Sequence, residues 1–185
     1  MYILGISCFY HDSAAAIIKD GELLTTVQEE RFSRIKNDGA FPKNAIQYCL
    51  DTAGIKAEQL DYAVFYEKPL KKFDRLIRTI LYYYPKTINL FCKAMLSMMR
   101  EKLWIKYIIA EQLNLPTNKV LCVDHHESHA AASFYCSKFS DSAILTVDGV
   151  GEWTTAAYGV AHSFWKDNAN DKNYIKLTNE LQFPI

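Results

Sequence analysis

The sequence predicts an α/β protein, ordered as a βββαβ run, a helical insertion, a βα unit and then a second β-turn-β. Three observations lead there. Short runs rich in β-branched and aliphatic residues at 2–7, 14–18 and 23–28 are separated by turn-forming residues. After Pro42 the apolar spacing changes to the 3.6-residue period of a helix. A second apolar run at 143–147 ends on Asp148-Gly149, much as the first ends near His11-Asp12.

The elements follow in order. Residues 2–7 read as a buried strand, His11-Asp12-Ser13 as a polar break, and Asp20-Gly21 as the tight turn between the next two strands. The charged stretch 29–39 is too polar for a core strand and is expected to be a loop. Pro42 suits the first position of a helix in which Ala45, Ile46, Cys49 and Leu50 share one face, and Gly54 stops it. Residues 61–66 form the next strand, and 69–113 are helical with an interruption at Pro85. That insertion carries Tyr82-Tyr83-Tyr84, Phe91, Met95, Met98, Met99, Trp104 and Tyr107. Its periodic apolar faces are expected to pack on the core or on a missing neighbour, with a membrane-surface or small-molecule groove as the alternative. A strand at 119–123, a helix from His125 or His126, and strands at 143–147, 154–160 and 174–181 complete the chain. The expected organisation is a first subdomain over 1–141 that holds the insertion, and the start of a second copy over 142–185. Apolar strands need helices on both faces, so more chain is expected after the last strand.

Composition excludes several classes. With 185 residues, 50% of them hydrophobic, the chain can bury a substantial core. Lys+Arg and Asp+Glu are both 21, so no basic block exists to track a phosphate backbone and a nucleic-acid partner is not expected. The N-terminus lacks the basic region and cleavage site of a signal peptide, and no run reaches about 18 apolar residues, so neither export nor a membrane span is expected. Five scattered cysteines read as reduced residues of a cytoplasmic protein.

The strongest chemical signal is Asp124-His125-His126-Glu127-Ser128-His129, which holds three of the five histidines. Residues four apart share a helix face, so His125 and His129 can close on one divalent metal while His126 points elsewhere. The structural alternative is a helix capped by Asp124 with incidental histidines. Asp148, at the carboxyl end of a strand, is the best-placed third ligand. Two imidazoles and a carboxylate leave open coordination positions, which implies binding or catalysis. Gly149 and Gly151 can offer backbone N–H groups to phosphate, although an isolated Asp-Gly-x-Gly is more often a plain turn. His11-Asp12 in a turn is structural in most proteins, and a catalytic role needs substrate within hydrogen-bond reach.

Together, Gly5-Ile6-Ser7, His11-Asp12-Ser13-Ala14-Ala15-Ala16, Glu29-Glu30-Arg31-Phe32-Ser33-Arg34-Ile35-Lys36, Phe41-Pro42, His125-His126-Glu127-Ser128-His129 and Asp148-Gly149-Val150-Gly151-Glu152 resemble the N-terminal region of carbamoyltransferases of the NodU/CmcH/TobZ type. The resemblance implies a ribonuclease-H-like domain of the actin/sugar-kinase/Hsp70 type, Kae1-like, followed by a YrdC-like domain that this chain lacks. It implies O-carbamoyl transfer from carbamoyl phosphate, through a carbamoyl-adenylate made with ATP, to a hydroxyl of a small-molecule acceptor. By resemblance His125, His129 and Asp148 match metal ligands of what is usually an iron site, with zinc or manganese as substitutes. His11 matches the catalytic histidine, and Asp12, Gly149 and Gly151 fall where nucleotide contacts are expected. The expected product of this sequence alone is an inactive N-terminal fragment, compatible with a homodimer. The rival from another class is a non-catalytic metal-binding or partner-binding module.

Overall fold

Alternation along each strand decides which face is buried, and the register lines the buried positions up across the sheet. The computed structural model describes residues 1–100, 102–149, 152–163 and 174–182. Strands β1 (Tyr2–Ser7), β2 (Ala14–Lys19), β3 (Glu22–Gln28), β4 (Tyr62–Phe65) and β5 (Val120–Cys122) form a mixed sheet in the order β3-β2-β1-β4-β5. The first three are antiparallel neighbours, whereas β4 and β5 run parallel to β1. This order is the ribonuclease-H-like arrangement. Leu4 sits opposite Ile17 on one side and Ala63 on the other, Ile6 opposite Ala15 and Phe65, and Ala63 opposite Val120. All seven are buried, so one face of the sheet carries a continuous apolar layer.

Helix α2 (Lys43–Ala53) adds Ala45, Ile46, Cys49 and Leu50 to that core, and Gly54 ends it in the left-handed conformation that a residue without Cβ adopts without strain. Upstream, the segment expected to be a loop contains a helical turn, α1 (Glu30–Ser33), closed by Arg34 with a left-handed φ of 60°. The cause is long-range: the Glu29 carboxylate is buried and accepts hydrogen bonds from the Asn44 and Ala45 backbone N–H groups at 3.3 and 2.8 Å. It thereby caps α2, and the following turn closes on the Glu29 and Glu30 carbonyls. The insertion is helical as expected, with α3 (Pro69–Tyr82), α4 (Ile88–Arg100) and α5 (Ile105–Gln112), and the break falls at Pro85. No helix of the described residues is long and apolar enough to cross a membrane.

By its contacts the chain divides into two units, Met1–Tyr66 with Cys92–Cys122, and Glu67–Phe91 with Val123–Ile185. The second unit holds α6 (His125–Phe134) and an antiparallel sheet of β6 (Asp141–Val147), β7 (Thr154–His162) and β8 (Tyr174–Gln182). Ala130 and Phe134 of α6 pack with Ile144 and Ala161 to make its core. Gly159 sits where the β7–β8 register shifts, and a Cβ there would collide with the Lys176 backbone, so glycine is required. The opposite face of this sheet presents Leu145, Val147, Tyr158 and Val160 as exposed side chains.

Candidate metal centre

Helix α6 is built to present two faces. His126, Ala130 and Phe134, four residues apart, are its buried residues and turn toward the sheet. His125 and His129 therefore share the neighbouring face. Asp124 occupies the position before the helix with extended backbone (φ −66°, ψ 140°), but its carboxylate makes no capping bond. Instead it takes the ammonium groups of Lys68 and Lys71, from the start of α3. Burial opposes ionisation of Asp124, yet the two lysines outweigh it and hold the carboxyl below its ordinary value. The helix is thus anchored by an ion pair and not by a side-chain cap.

His125 Nε2 lies 2.7 Å from Asp148 Oδ2 and 3.1 Å from His129 Nε2. One ligand atom from each of the three residues falls within 4.8 Å of the others. Two imidazole nitrogens bound to one ion at about 2.1 Å stand roughly 3.0 Å apart at a right angle and roughly 3.4 Å apart at the tetrahedral angle. The His125–His129 separation falls between these, so the two imidazoles fit a divalent ion, and the 2.7 Å contact of His125 with Asp148 has to lengthen by a few tenths of an ångström for the carboxylate to join them. Asp148 follows β6, and its other oxygen, Oδ1, accepts the Gly149 N–H at 2.7 Å, which fixes the carboxylate plane.

Protonation states suit the same purpose. Burial, and then the neighbouring His125, push His129 below the ordinary imidazole value. Burial alone would raise Asp148, but its hydrogen bond with His125 brings it below the ordinary carboxylate value. Both groups favour their metal-binding forms.

His11 and Asp12 lie in the other unit, on the loop after β1. His11 Nδ1 is 2.6 Å from Asp12 Oδ2, and the imidazole stays well exposed. Phe9 and Asp12 both adopt left-handed backbone, with φ of 63° and 54°. The loop is tied down by Phe9 N–H to Gly39 O at 2.8 Å and Ser13 N–H to Asp38 O at 2.7 Å. A side chain at Gly39 would strike the Tyr10 carbonyl, so this glycine permits the close approach that shapes the His11 turn. Gly149 is in open space, whereas Gly151 lies outside the described residues.

Sequence reasoning missed Glu152. It is buried, accepts a hydrogen bond from the Lys68 backbone N–H, and lines a cavity of about 300 Å³ with Lys71, Asp124, His125, Trp153 and Glu180. Burial pushes its carboxyl up to about 7, against the Lys68 N–H bond, with nearby Asp124 adding to the rise. An acid whose value is raised on folding weakens the fold as pH climbs from its unfolded value toward the folded one. Glu152→Gln keeps the acceptor oxygen without the charge. It should leave the thermal midpoint nearly unchanged at pH 4 and raise it by roughly 3–6 °C at pH 8, about 1–2 kcal/mol once solvent at the cavity mouth is allowed for. Calorimetry at the two pH values checks this.

The mixed five-stranded sheet makes this an α/β protein, and His125, His129 and Asp148 are its candidate metal ligands. The chain belongs to the family described as carbamoyltransferase N-terminus, whose model matches residues 2–174. It is 45% identical to the uncharacterized protein sll1178 of Synechocystis over 99% of this chain and 29% of that protein. It is 30% identical to the nodulation protein NolNO of Sinorhizobium fredii over 82% of this chain and 21% of that protein. The chain therefore spans under a third of these curated relatives. Among solved structures it is similar to YeaZ from Pseudomonas aeruginosa, at a TM-score of 0.45 and 13% identity, over 89% of this chain and 60% of that one.

Proposed function

We propose that this chain supplies the metal centre and general base of an O-carbamoyltransferase. In this reading the enzyme moves a carbamoyl group from carbamoyl phosphate, through a carbamoyl-adenylate, to a hydroxyl of a small-molecule acceptor in the cytoplasm. The observation that carries the reading is the convergence of His125, His129 and Asp148 in a chain of the carbamoyltransferase family. The donor set suits Fe²⁺, with Zn²⁺ or Mn²⁺ as substitutes, and three protein ligands leave positions for substrate. When bound, such an ion supplies Lewis-acid polarisation of the carbamoyl carbonyl.

The remaining work falls to the protein's own groups. A neutral alcohol is a weak nucleophile, so a base must take its proton as the oxygen attacks. His11 is that base: the Asp12 carboxylate accepts its Nδ1–H, which places the lone pair on Nε2. The acceptor oxygen bonds to the carbamoyl carbon, the bond from that carbon to the adenylate oxygen breaks, and AMP leaves with the electron pair while Nε2 holds the proton. Asp12, Gly149 and Gly151 are assigned to the nucleotide side, and formation of the adenylate to a YrdC-like domain.

The test is an assay of a protein carrying this segment together with a YrdC-like domain, given carbamoyl phosphate, ATP and a panel of sugar and antibiotic acceptors. Carbamoylated acceptor and AMP should appear together and only with both cosubstrates. Transfer that proceeds without ATP, or no transfer to any hydroxyl acceptor, would overturn the assignment.

A further inference from the structure

The second histidine of the run, His126, directs its ring nitrogens to the sheet, while its ring stands edge-on to His125 and His129 at centroid distances of 6.0 and 6.3 Å. It is buried at 4% exposure, and both of its nitrogens are engaged. Nε2 lies 2.7 Å from the Thr154 carbonyl oxygen and Nδ1 lies 2.6 Å from Thr146 Oγ1. A carbonyl only accepts, so Nε2 carries the proton. In the neutral ring Nδ1 is then the acceptor and Thr146 O–H donates to it. A second acceptor for that hydroxyl, Ala157 O, is farther off at 3.3 Å.

The positions of those two partners give the pair its meaning. Thr146 is on β6, two residues before Asp148, and Thr154 is the first residue of β7. The Asp148 backbone N–H bonds to Thr155 O at 2.8 Å, so Thr146 and Thr154 flank the base of the turn that carries Asp148. One imidazole thus clamps both legs of that turn to the first turn of α6, one residue from His125 and three from His129. Ligand atoms for one ion need placement to within a few tenths of an ångström, which a helix merely resting on Ala130 and Phe134 would not guarantee.

We propose that His126 is a positioning residue which, through Thr146 and Thr154, sets the spacing of His125 and His129 against Asp148. It rests on the metal-centre reading above for its consequence, though the spacing itself exists without metal. A structural histidine would lower stability when replaced. A positioning histidine also moves the trio.

The experiment has a metal-free arm and a metal arm, both on the whole chain. The variants are His126→Ala, His126→Gln, which can keep an N–H toward Thr154, and the near-isosteric Thr146→Val, which removes only the hydroxyl. Phe134→Leu serves as a control that loosens the same helix from its core. In crystals of the metal-free protein, His126→Ala and Thr146→Val should separate His125 Nε2 from Asp148 Oδ2 beyond hydrogen-bond reach, while Phe134→Leu should not. With Co²⁺ as probe, His126→Ala should weaken binding about 10–100-fold and change the visible absorption of the bound ion. Thr146→Val should weaken it about 3–10-fold and His126→Gln should recover part of the loss, with Phe134→Leu within about twofold of wild type. Wild-type spacing of the trio in the metal-free variants overturns the proposal. If His126→Ala does not fold, Thr146→Val decides by the same distances. Failure of the wild type to bind Co²⁺ would sink the metal reading instead, and the crystal arm would still decide the role of His126.

Discussion

A His129→Ala variant should hold divalent metal at least on the order of 100-fold more weakly than the wild type, because it removes one of the three ligands that converge among the described residues. The helix should survive the change. His129 is on the exposed side of α6, alanine is the best helix former, and the buried stripe of His126, Ala130 and Phe134 is untouched. Metal content of the purified protein and a folding transition measured side by side separate loss of the ion from loss of the fold. Metal retention should also depend on pH in a direction fixed by the ligands, since each must be deprotonated to bind. Asp148 is held below the ordinary carboxylate value and His129 below the ordinary imidazole value of 6.5. Protons therefore compete poorly at neutral pH, and metal should be retained from pH 8 to somewhat under 6.5, then be lost on further acidification. Unchanged metal content in His129→Ala, or tighter retention in acid, would refute the assignment of these ligands.

His11→Ala should lower turnover of a carbamoyl-transferring protein by about 10²–10⁴-fold, the usual worth of a general base, with a much smaller change in KM for the acceptor. The backbone gives a companion test. Asp12 adopts a left-handed conformation (φ 54°) that asparagine tolerates nearly as well, so Asp12→Asn leaves the turn intact. It removes the charge that orients His11 Nδ1–H, and its amide N–H₂ can turn toward the ring. Turnover should fall by about tenfold or more without loss of stability. Steady-state kinetics on both variants check the pair, and a His11→Ala protein with wild-type turnover would remove His11 from the mechanism.

What could be read in the sequence was local, and what could not be read was not. Residue spacing along α6 placed His125 and His129 on one face, and the apolar run at 143–147 placed Asp148 at the end of β6. The fold brings those three together. Short apolar runs bounded by turn residues likewise marked β1 to β8, and Pro42 and Gly54 marked the ends of α2. By contrast, the polar run after β3 gave no sign that Glu29 caps a helix 15 residues away, so α1 went unseen. Asp124 looked like a cap because caps are local; its partners Lys68 and Lys71 are 56 and 53 residues distant. Glu152 bonds across 84 residues to Lys68 N–H, and nothing in Gly-Glu-Trp signals a buried carboxyl. His126 was legible as pointing away from His125 and His129, but its two threonine partners come from the strands flanking the Asp148 turn and appear only once β6 and β7 pair.

The most direct measurement is anomalous diffraction from crystals of the protein prepared with Fe²⁺ under exclusion of oxygen. A single peak is expected at about 2.0–2.2 Å from His125 Nε2, His129 Nε2 and an oxygen of Asp148, with all three ligands on one ion. Iron bound elsewhere, or these three side chains left in their mutual hydrogen bonds with no peak between them, would contradict the metal centre.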